Sequence, residues 1–294
     1  MIIVKLMGGL GNQMFQYAFG RHLSAKNNTE LKLDLSYLND TSHKEDFIQR
    51  NYELDVFNIH ASLASDQDIL KFKKGMKKKV LHHLSLYFPV QPENFYLREP
   101  YFHFFKKALS APGNTYADGY WQSEKYFRDI SEQIKKDFTP AKPLSDRSIR
   151  LKEEIKKNQS ASIHVRRGDY ITHRHLNRYH TCNEKYYGEA MELVGSRISN
   201  PKFYVFSDEP GWFEKNVITN FPVEYIEHSA GVPGYEDIYL MSLCKHNIIA
   251  NSTFSWWGAW LNENVGKIVV APGKWFIDKT KNPKDLIPQS WTKL

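Results

Sequence analysis

From Asp146 to Val270 the chain alternates helical stretches with short apolar runs, and no other feature constrains its fold as strongly. The helical stretches are 146–157, 184–197, 212–217, 235–245 and 255–261, and the apolar runs are 160–165, 202–206, 223–226, 247–250 and 267–270. Short apolar runs between polar turns read as buried strands. Strands that alternate with helices imply a parallel sheet with helices on both faces. Thr139-Pro140-Ala141-Lys142-Pro143-Leu144 precedes the series and reads as a linker, which divides the chain into residues 1–143 and 144–294.

The first strand of the series runs into Ser162-Ile163-His164-Val165-Arg166-Arg167-Gly168-Asp169-Tyr170. Two adjacent arginines at the carboxyl end of a strand repel one another and need anionic partners. A pyrophosphate suits them, because guanidinium donates in a fork that fits phosphate oxygens. Ligands of open α/β sheets gather at this end of the strands. The reading is an anion clamp, set against a structural Arg–Asp pair with Asp169. An Arg-Gly-Asp adhesion tripeptide is rejected, because no secretory signal is visible.

A second constellation, Asn251-Ser252-Thr253-Phe254-Ser255, leads from the strand at 247–250 into a helix. Helix N-termini present free N–H groups and a positive dipole end, which suit phosphate. An ordinary N-cap accounts for one hydroxyl, not three with an asparagine. Ser207-Asp208-Glu209, at another strand end, reads as a turn.

Several features invite other readings. Met1–Leu6, Gly8–Gln13 and Leu31–Leu35 form a strand, a turn opening a helix, and a second strand. With Asp34 they imitate a dinucleotide fingerprint. The fingerprint begun at Gly9-x-Gly11 needs glycine where this chain has Met14, and that glycine permits close helix–strand packing. A dinucleotide-dependent oxidoreductase using Gly9–Asp34 therefore stands as the alternative function only. Asp66-x-Asp68 resembles a metal-binding pair, but Ser65-x-x-Asp68 reads as a capping box. His173, His175, His180 and Cys182 have no recognisable zinc spacing, so no metal site is expected. Residues 88–121, rich in aromatics and proline, read as core beneath irregular loops rather than as a sugar-stacking surface.

The net charge of +7 is local, because Lys71–Lys79 holds six lysines and no acid. This argues against a nucleic-acid protein, whose basic footprint spreads over a face. A helix over 69–87 would align Phe72, Met76, Val80 and Leu84 as an apolar stripe flanked by lysines. A solvated face is the plainer reading. Peripheral contact with anionic membrane is the other. Two cysteines, Cys182 and Cys244, fit a reducing compartment, and no run approaches a membrane span. A cytoplasmic protein is expected, with this lysine segment as its candidate contact on the inner membrane face.

Taken in order, Gly8–Tyr17, Gly119–Ser123, His164–Tyr170, Ser207–Glu209 and Asn251–Gly258 resemble the α-1,2-fucosyltransferases of glycosyltransferase family eleven. The resemblance spans nearly the whole chain. It implies a GT-B-like α/β fold, two Rossmann-like domains facing across a cleft, with the C-terminal tail packed back on the first. It implies GDP-β-L-fucose as donor substrate, a terminal galactose as acceptor through its 2-hydroxyl, inversion, no metal and no cofactor, in surface-glycan synthesis such as that of O-antigen. Arg166 would hold the β-phosphate with Arg167 beside it, and His164 would meet the guanine through its main chain. Asp237 would accept from guanine N1 and N2. Asn251, Ser252, Thr253 and Ser255 would line the phosphate site, while Gly11, Asn12 and Gln13 would face the fucose. A general base is expected, and the sequence singles none out: Asp169, His173 and His175 follow the clamp, and Asn12 is a further catalytic candidate.

Overall fold

The computed structural model describes residues 1–42, 49–76, 93–168, 181–226, 233–278 and 280–294. The chain divides into two compact units, Met1–Ala141 with Lys281–Leu286, and Lys142–Thr280 with Ile287–Leu294.

The first unit begins with β1 (Ile2–Lys5), α1 (Leu10–Lys26), β2 (Leu31–Asp34), α2 (Ser36–Asn39), β3 (Ser62–Leu63) and α3 (Asp66–Met76). It continues with β4 (Phe95–Arg98), β5 (Thr115–Asp118) and α4 (Ser131–Asp137). The sheet order is β3-β2-β1-β5-β4, and every pairing is parallel. The order reverses between β1 and β5, so the loops after these two strands share the crevice where such sheets bind ligands.

Gly8 turns the chain into α1 with a φ of +74°, and a Cβ there would lie 2.4 Å from the Asn12 amide nitrogen. No side chain caps Gly9. Instead, the Gln13 amide donates to the carbonyls of Gly8 (2.9 Å) and Asn51 (2.8 Å) and accepts from the Glu53 N–H (3.0 Å). The helix packs tightest at Gly20, where a Cβ would lie 2.3 Å from Val4 Cγ2 and 2.8 Å from Leu31 Cδ1. Close helix–strand packing, the role of a third glycine in a dinucleotide fingerprint, thus falls at Gly20 rather than at Met14. Asp34 is fully buried, accepting from the Tyr116 hydroxyl at 2.5 Å and from the Ser36 N–H at 2.8 Å. Its carboxylate is spent inside the unit and is not presented to a ribose.

The stretch read as irregular loops holds two strands of the sheet, β4 and β5. Phe95, Tyr96 and Leu97 are all fully buried. A strand covered on both faces shows no alternation, and the flanking prolines disguised it. Tyr96 stacks on Tyr116 with centroids 5.5 Å apart, and both join Ile3 and Phe72 in one apolar cluster.

Ser65 and Asp68 form the expected capping box at the head of α3. The Ser65 hydroxyl accepts from the Asp68 N–H (3.2 Å), and the Asp68 carboxylate accepts from the Ser65 N–H (3.1 Å). Lys32 also donates to Asp68 at 3.0 Å, and Lys71 lies 3.4 Å from its other oxygen. Phe72, first member of the lysine-flanked stripe, is fully buried. The rest of the proposed membrane segment, from Lys77 to Tyr87, lies outside the described residues, as do Asp169, His173, His175 and His180. Among the described residues, no helix is long and apolar enough to cross a membrane. No group of three or more His, Cys, Asp or Glu among them is placed to hold a metal ion.

The second unit runs α5 (Asp146–Lys157), β6 (Gln159–Val165), α6 (Glu184–Gly195), β7 (Pro201–Ser207), α7 (Pro210–Asn216) and β8 (Val223–Ile226). It closes with α8 (Gly234–Leu243), β9 (His246–Ile248), α9 (Thr253–Trp260), β10 (Val269–Ala271) and β11 (Thr292–Lys293). The sheet order is β11-β10-β9-β6-β7-β8, again wholly parallel. The first strand is therefore central, and the order reverses between β6 and β9. Ala161, Ile163, Val165, Phe203 and Val205 pack against Tyr187, Met191 and Val194 of α6 and Phe213 of α7. Before β11, residues Lys281–Leu286 belong to the first unit. There Asp285 accepts from the Phe104 N–H and from Lys125, and its carbonyl accepts from the Ser123 hydroxyl.

Candidate active site

The parallel register sets Val165 of β6 opposite Ser207 of β7. The residues that follow the two strands consequently meet in pairs. Arg166 lies 3.2 Å from Asp208, and Arg167 lies 3.3 Å from Glu209. The Arg167 guanidinium also sits 3.9 Å from the Trp212 ring centre, a cation–π contact that fixes its plane. Asp208 accepts as well from the N–H groups of Arg167 (3.0 Å) and Gly168 (3.2 Å). Ser207–Glu209 is thus more than a turn: it supplies the counter-charges that let two arginines stand side by side. The pairing does not show in the sequence, because only the β6–β7 register brings the two strand ends together.

His164, one residue earlier, is buried, and its Nδ1 finds no partner. Burial, helped by the Arg166 charge, lowers its pKa to about 3, so the ring is neutral. Its face tilts against Phe254 at 5.5 Å, and its carbonyl accepts from the Tyr187 hydroxyl at 3.1 Å.

Across the reversal point from β6 lies the start of α9. Ser252 caps it, accepting from the Phe254 N–H at 3.3 Å. The Ser255 hydroxyl is fully buried and donates back to the Ser252 carbonyl. Asn251 is buried and donates to the Trp275 carbonyl at 3.1 Å. Thr253 alone of the three hydroxyl residues is partly exposed. The pairing of β6 with β9 sets the loop that carries the two arginines beside the loop that opens α9, and Asn251 and Ser255 make hydrogen bonds that hold the turn.

Asp237 lies in the first turn of α8, largely buried, with Arg147 of α5 at 3.3 Å. Its neighbour Glu236 accepts from the Ser145 N–H and hydroxyl and from the Ser148 hydroxyl, which ties the start of α5 to α8. Beside the Arg147–Asp237 pair opens a cavity of about 380 Å³ lined by Arg147, Arg150, Glu154 and Tyr225 among others.

In the first unit, Asn12 at the head of α1 accepts from Gln122 at 2.8 Å, which joins the two blocks on either side of its own reversal point. Gln13 is fully buried and Gly11 is buried beside it, so both shape the turn. After β4, Glu99 accepts from the N–H groups of Tyr120 (2.8 Å) and Trp121 (3.1 Å). The aromatic stretch divides here: Phe95, Tyr96 and Trp121 are core, while Tyr101 and Tyr120 are exposed.

The whole chain, residues 1–294, matches the model of glycosyl transferase family 11. The chain belongs to that family. An Escherichia coli alpha-1,2-colitosyltransferase is 34% identical, with 100% of this chain and 98% of that protein covered. The E. coli O-antigen biosynthesis glycosyltransferase WbnK is 35% identical, over 98% and 99%. The galactoside alpha-(1,2)-fucosyltransferase 1 of Saimiri boliviensis boliviensis is 26% identical over a smaller part, 49% of this chain and 42% of that one. Among solved structures, a mutant of Arabidopsis thaliana FUT1 in complex with GDP superposes with a TM-score of 0.53 at 11% identity, covering 99% and 75%. NodZ alpha-1,6-fucosyltransferase, soaked with GDP-fucose, gives 0.50 at 14% identity, covering 88% and 91%. These likenesses show a GT-B-like α/β fold. The enzyme is a glycosyltransferase, and the dinucleotide alternative finds no support among these relatives.

Proposed function

We propose that this transferase moves L-fucose from GDP-β-L-fucose to the 2-hydroxyl of a terminal galactose, inverting the anomeric carbon, in the synthesis of a surface glycan. The observation that carries the reading is the Arg166–Arg167 pair at the carboxyl end of β6, facing the N-terminus of α9 across the reversal of strand order. As the glycosidic bond breaks, its electron pair moves to the β-phosphate while the sugar becomes oxocarbenium-like. Arg166 and the positive dipole end of α9 suit that charge, and groups arranged beforehand for a developing charge stabilise such transition states most. Asp237 supplies a carboxylate suited to the two donors on a guanine edge. The relatives named for α-1,2 transfer and for O-antigen biosynthesis support the linkage and the product class.

One relative favours a second donor. Colitose is 3-deoxy-L-fucose, and a full-length relative transfers it. A site that hydrogen-bonds the fucose 3-hydroxyl would reject the deoxy sugar by about 10⁴-fold or more, whereas an apolar site would discriminate weakly. Incubation with GDP-fucose and GDP-colitose over a panel of β-galactosides, with product linkage read by NMR, tests both. Transfer of neither sugar would refute the reading. GDP should also raise the melting temperature where NAD does not, because selective binding stabilises the folded state.

A further inference from the structure

Arg167 is held at three points, all within the second unit. Its N–H donates to Asp208 at 3.0 Å, its Nε donates to Glu209 at 3.3 Å, and its guanidinium lies 3.9 Å from the centre of the Trp212 ring. The parallel register explains the meeting. Val165 stands opposite Ser207, so the second residue past β6 comes level with the second past β7. The Ser207 hydroxyl accepts from the Glu209 N–H at 2.8 Å, which closes the turn, and Pro210 opens α7 directly after it. Proline pre-sets the backbone for a first helical turn, and that turn carries Trp212.

The Trp212 ring has little freedom of its own. It is partly buried, packs on the apolar core shared by the sheet, α6 and α7, and meets the buried Tyr187 ring at 6.1 Å, edge to face. The Arg167 side chain is only 18% exposed. A guanidinium has five N–H groups, and Glu209 takes the one on Nε. Among the described residues neither terminal nitrogen of Arg167 has a hydrogen-bond partner, and neither is sealed from solvent. Four N–H groups therefore remain on a plane that the ring and the carboxylate have already set. They lie at the carboxyl end of β6, beside the reversal of strand order where ligands of such sheets gather.

We propose that Trp212 is a positioning residue, which holds the Arg167 fork open for the diphosphate of the sugar-nucleotide donor. This rests on the transferase reading above. A planar fork suits two oxygens of one phosphate, and Arg166 in the adjacent position suits a ligand with a second charged group. An arginine free to rotate would lose that freedom when the ligand binds. Here the stacked ring and Glu209 have removed it beforehand, and such preorganisation appears as affinity.

Titration calorimetry of GDP and of inorganic pyrophosphate tests this on wild type, Arg167→Met, Trp212→Leu, Trp212→Phe and the two double variants. Arg167→Met should weaken both ligands by about tenfold to 10²-fold, the usual loss of hydrogen bonds from a charged group. Trp212→Leu keeps an apolar side chain without a ring face and should weaken both by about fivefold or more, while Trp212→Phe should recover most of that loss. In the Arg167→Met background either change at Trp212 should alter affinity by less than about twofold, because a residue that acts through another adds nothing in its absence. Independent losses in the double variants, Trp212→Phe as weak as Trp212→Leu, or wild-type affinity in Arg167→Met overturns the proposal. Should Trp212→Leu fail to fold, tetrafluorotryptophan in place of Trp212 keeps the shape and removes the negative ring face; unchanged affinity there overturns the proposal too. Wild type that binds neither GDP nor pyrophosphate also overturns it. Wild type that transfers no fucose, yet binds pyrophosphate with the pattern above, counts against the fucose reading and supports this one.

Discussion

Asp208 lies 3.2 Å from the Arg166 guanidinium while its two oxygens also accept the N–H groups of Arg167 and Gly168. One carboxylate thus shapes the loop that presents both arginines and neutralises one of them. A diphosphate bound at Arg166, as proposed above, would have to share or replace this partner.

The first prediction follows from that geometry. Arg166→Ala should lower kcat by about 10²-fold, the usual loss when one preorganised donor to a developing charge is removed. Arg166→Lys should fare little better, since an ammonium cannot reproduce the fork. Stability should change by less than about 1 kcal/mol, because the Arg166–Asp208 pair is partly exposed and screened. Steady-state kinetics beside thermal melts separate the two effects, and normal turnover in Arg166→Ala would remove it from the phosphate site.

Asp66 and Asp68 provide the second. The Asp68 carboxylate is held well below the usual range, chiefly by the hydrogen bond from Lys32 and then by Ser65. A depressed folded-state pKa contributes stability that is present above the unfolded value and lost as pH falls through the folded one. Asp68→Asn should therefore melt earlier than wild type at neutral pH, and the gap should close as pH drops below about 4. Activity should survive EDTA in both. Inactivation by EDTA with recovery in Mn²⁺ would show that this Asp-x-Asp serves a metal.

Gly20 provides the third. A methyl there meets Val4 and Leu31 well inside contact distance. Gly20→Ala should cost about 1–3 kcal/mol by overpacking, although alanine favours helix. Denaturant melts decide it, and an unchanged or raised midpoint would mean that α1 can lift from the sheet without penalty.

How much of this was legible in the sequence depends on what each residue was doing. The strands of the second unit stood out because helices and turns separate them. β4 and β5 did not, since a strand buried on both faces carries no period and Phe95-Tyr96-Leu97 sits among prolines. Arg166 and Arg167 were legible because paired arginines demand anions. Asp208 and Glu209 were not, because only the β6–β7 register brings them opposite. Gln13, Asn251 and Ser255 are of types that suit a ligand, yet amides and hydroxyls serve internal turns equally well, and here their bonds close within the protein. The hydrogen bonds of Glu99 left no sequence signal, because they depend on the backbone conformation of Trp121, 22 residues further along the chain.

The last prediction concerns Asp237, whose carboxylate has a role inside the unit whatever it binds. Arg147 lies 3.3 Å away, and both side chains are largely buried. In Asp237→Asn, Arg147 loses its anion, which should cost about 1–3 kcal/mol of stability. If Asp237 also accepts from guanine, the new amide sets an N–H₂ against the donors of the base. KM for GDP-fucose should then rise about tenfold or more while KM for the acceptor barely moves, since a mispaired polar group in a binding site costs a kcal/mol or more. The two effects separate on substitution of Arg147. Arg147→Met removes the ion pair but leaves the carboxylate, so it should destabilise the fold without the same selective rise in donor KM. Equal changes in both KM values for Asp237→Asn, matched by Arg147→Met, would assign the pair to the fold alone.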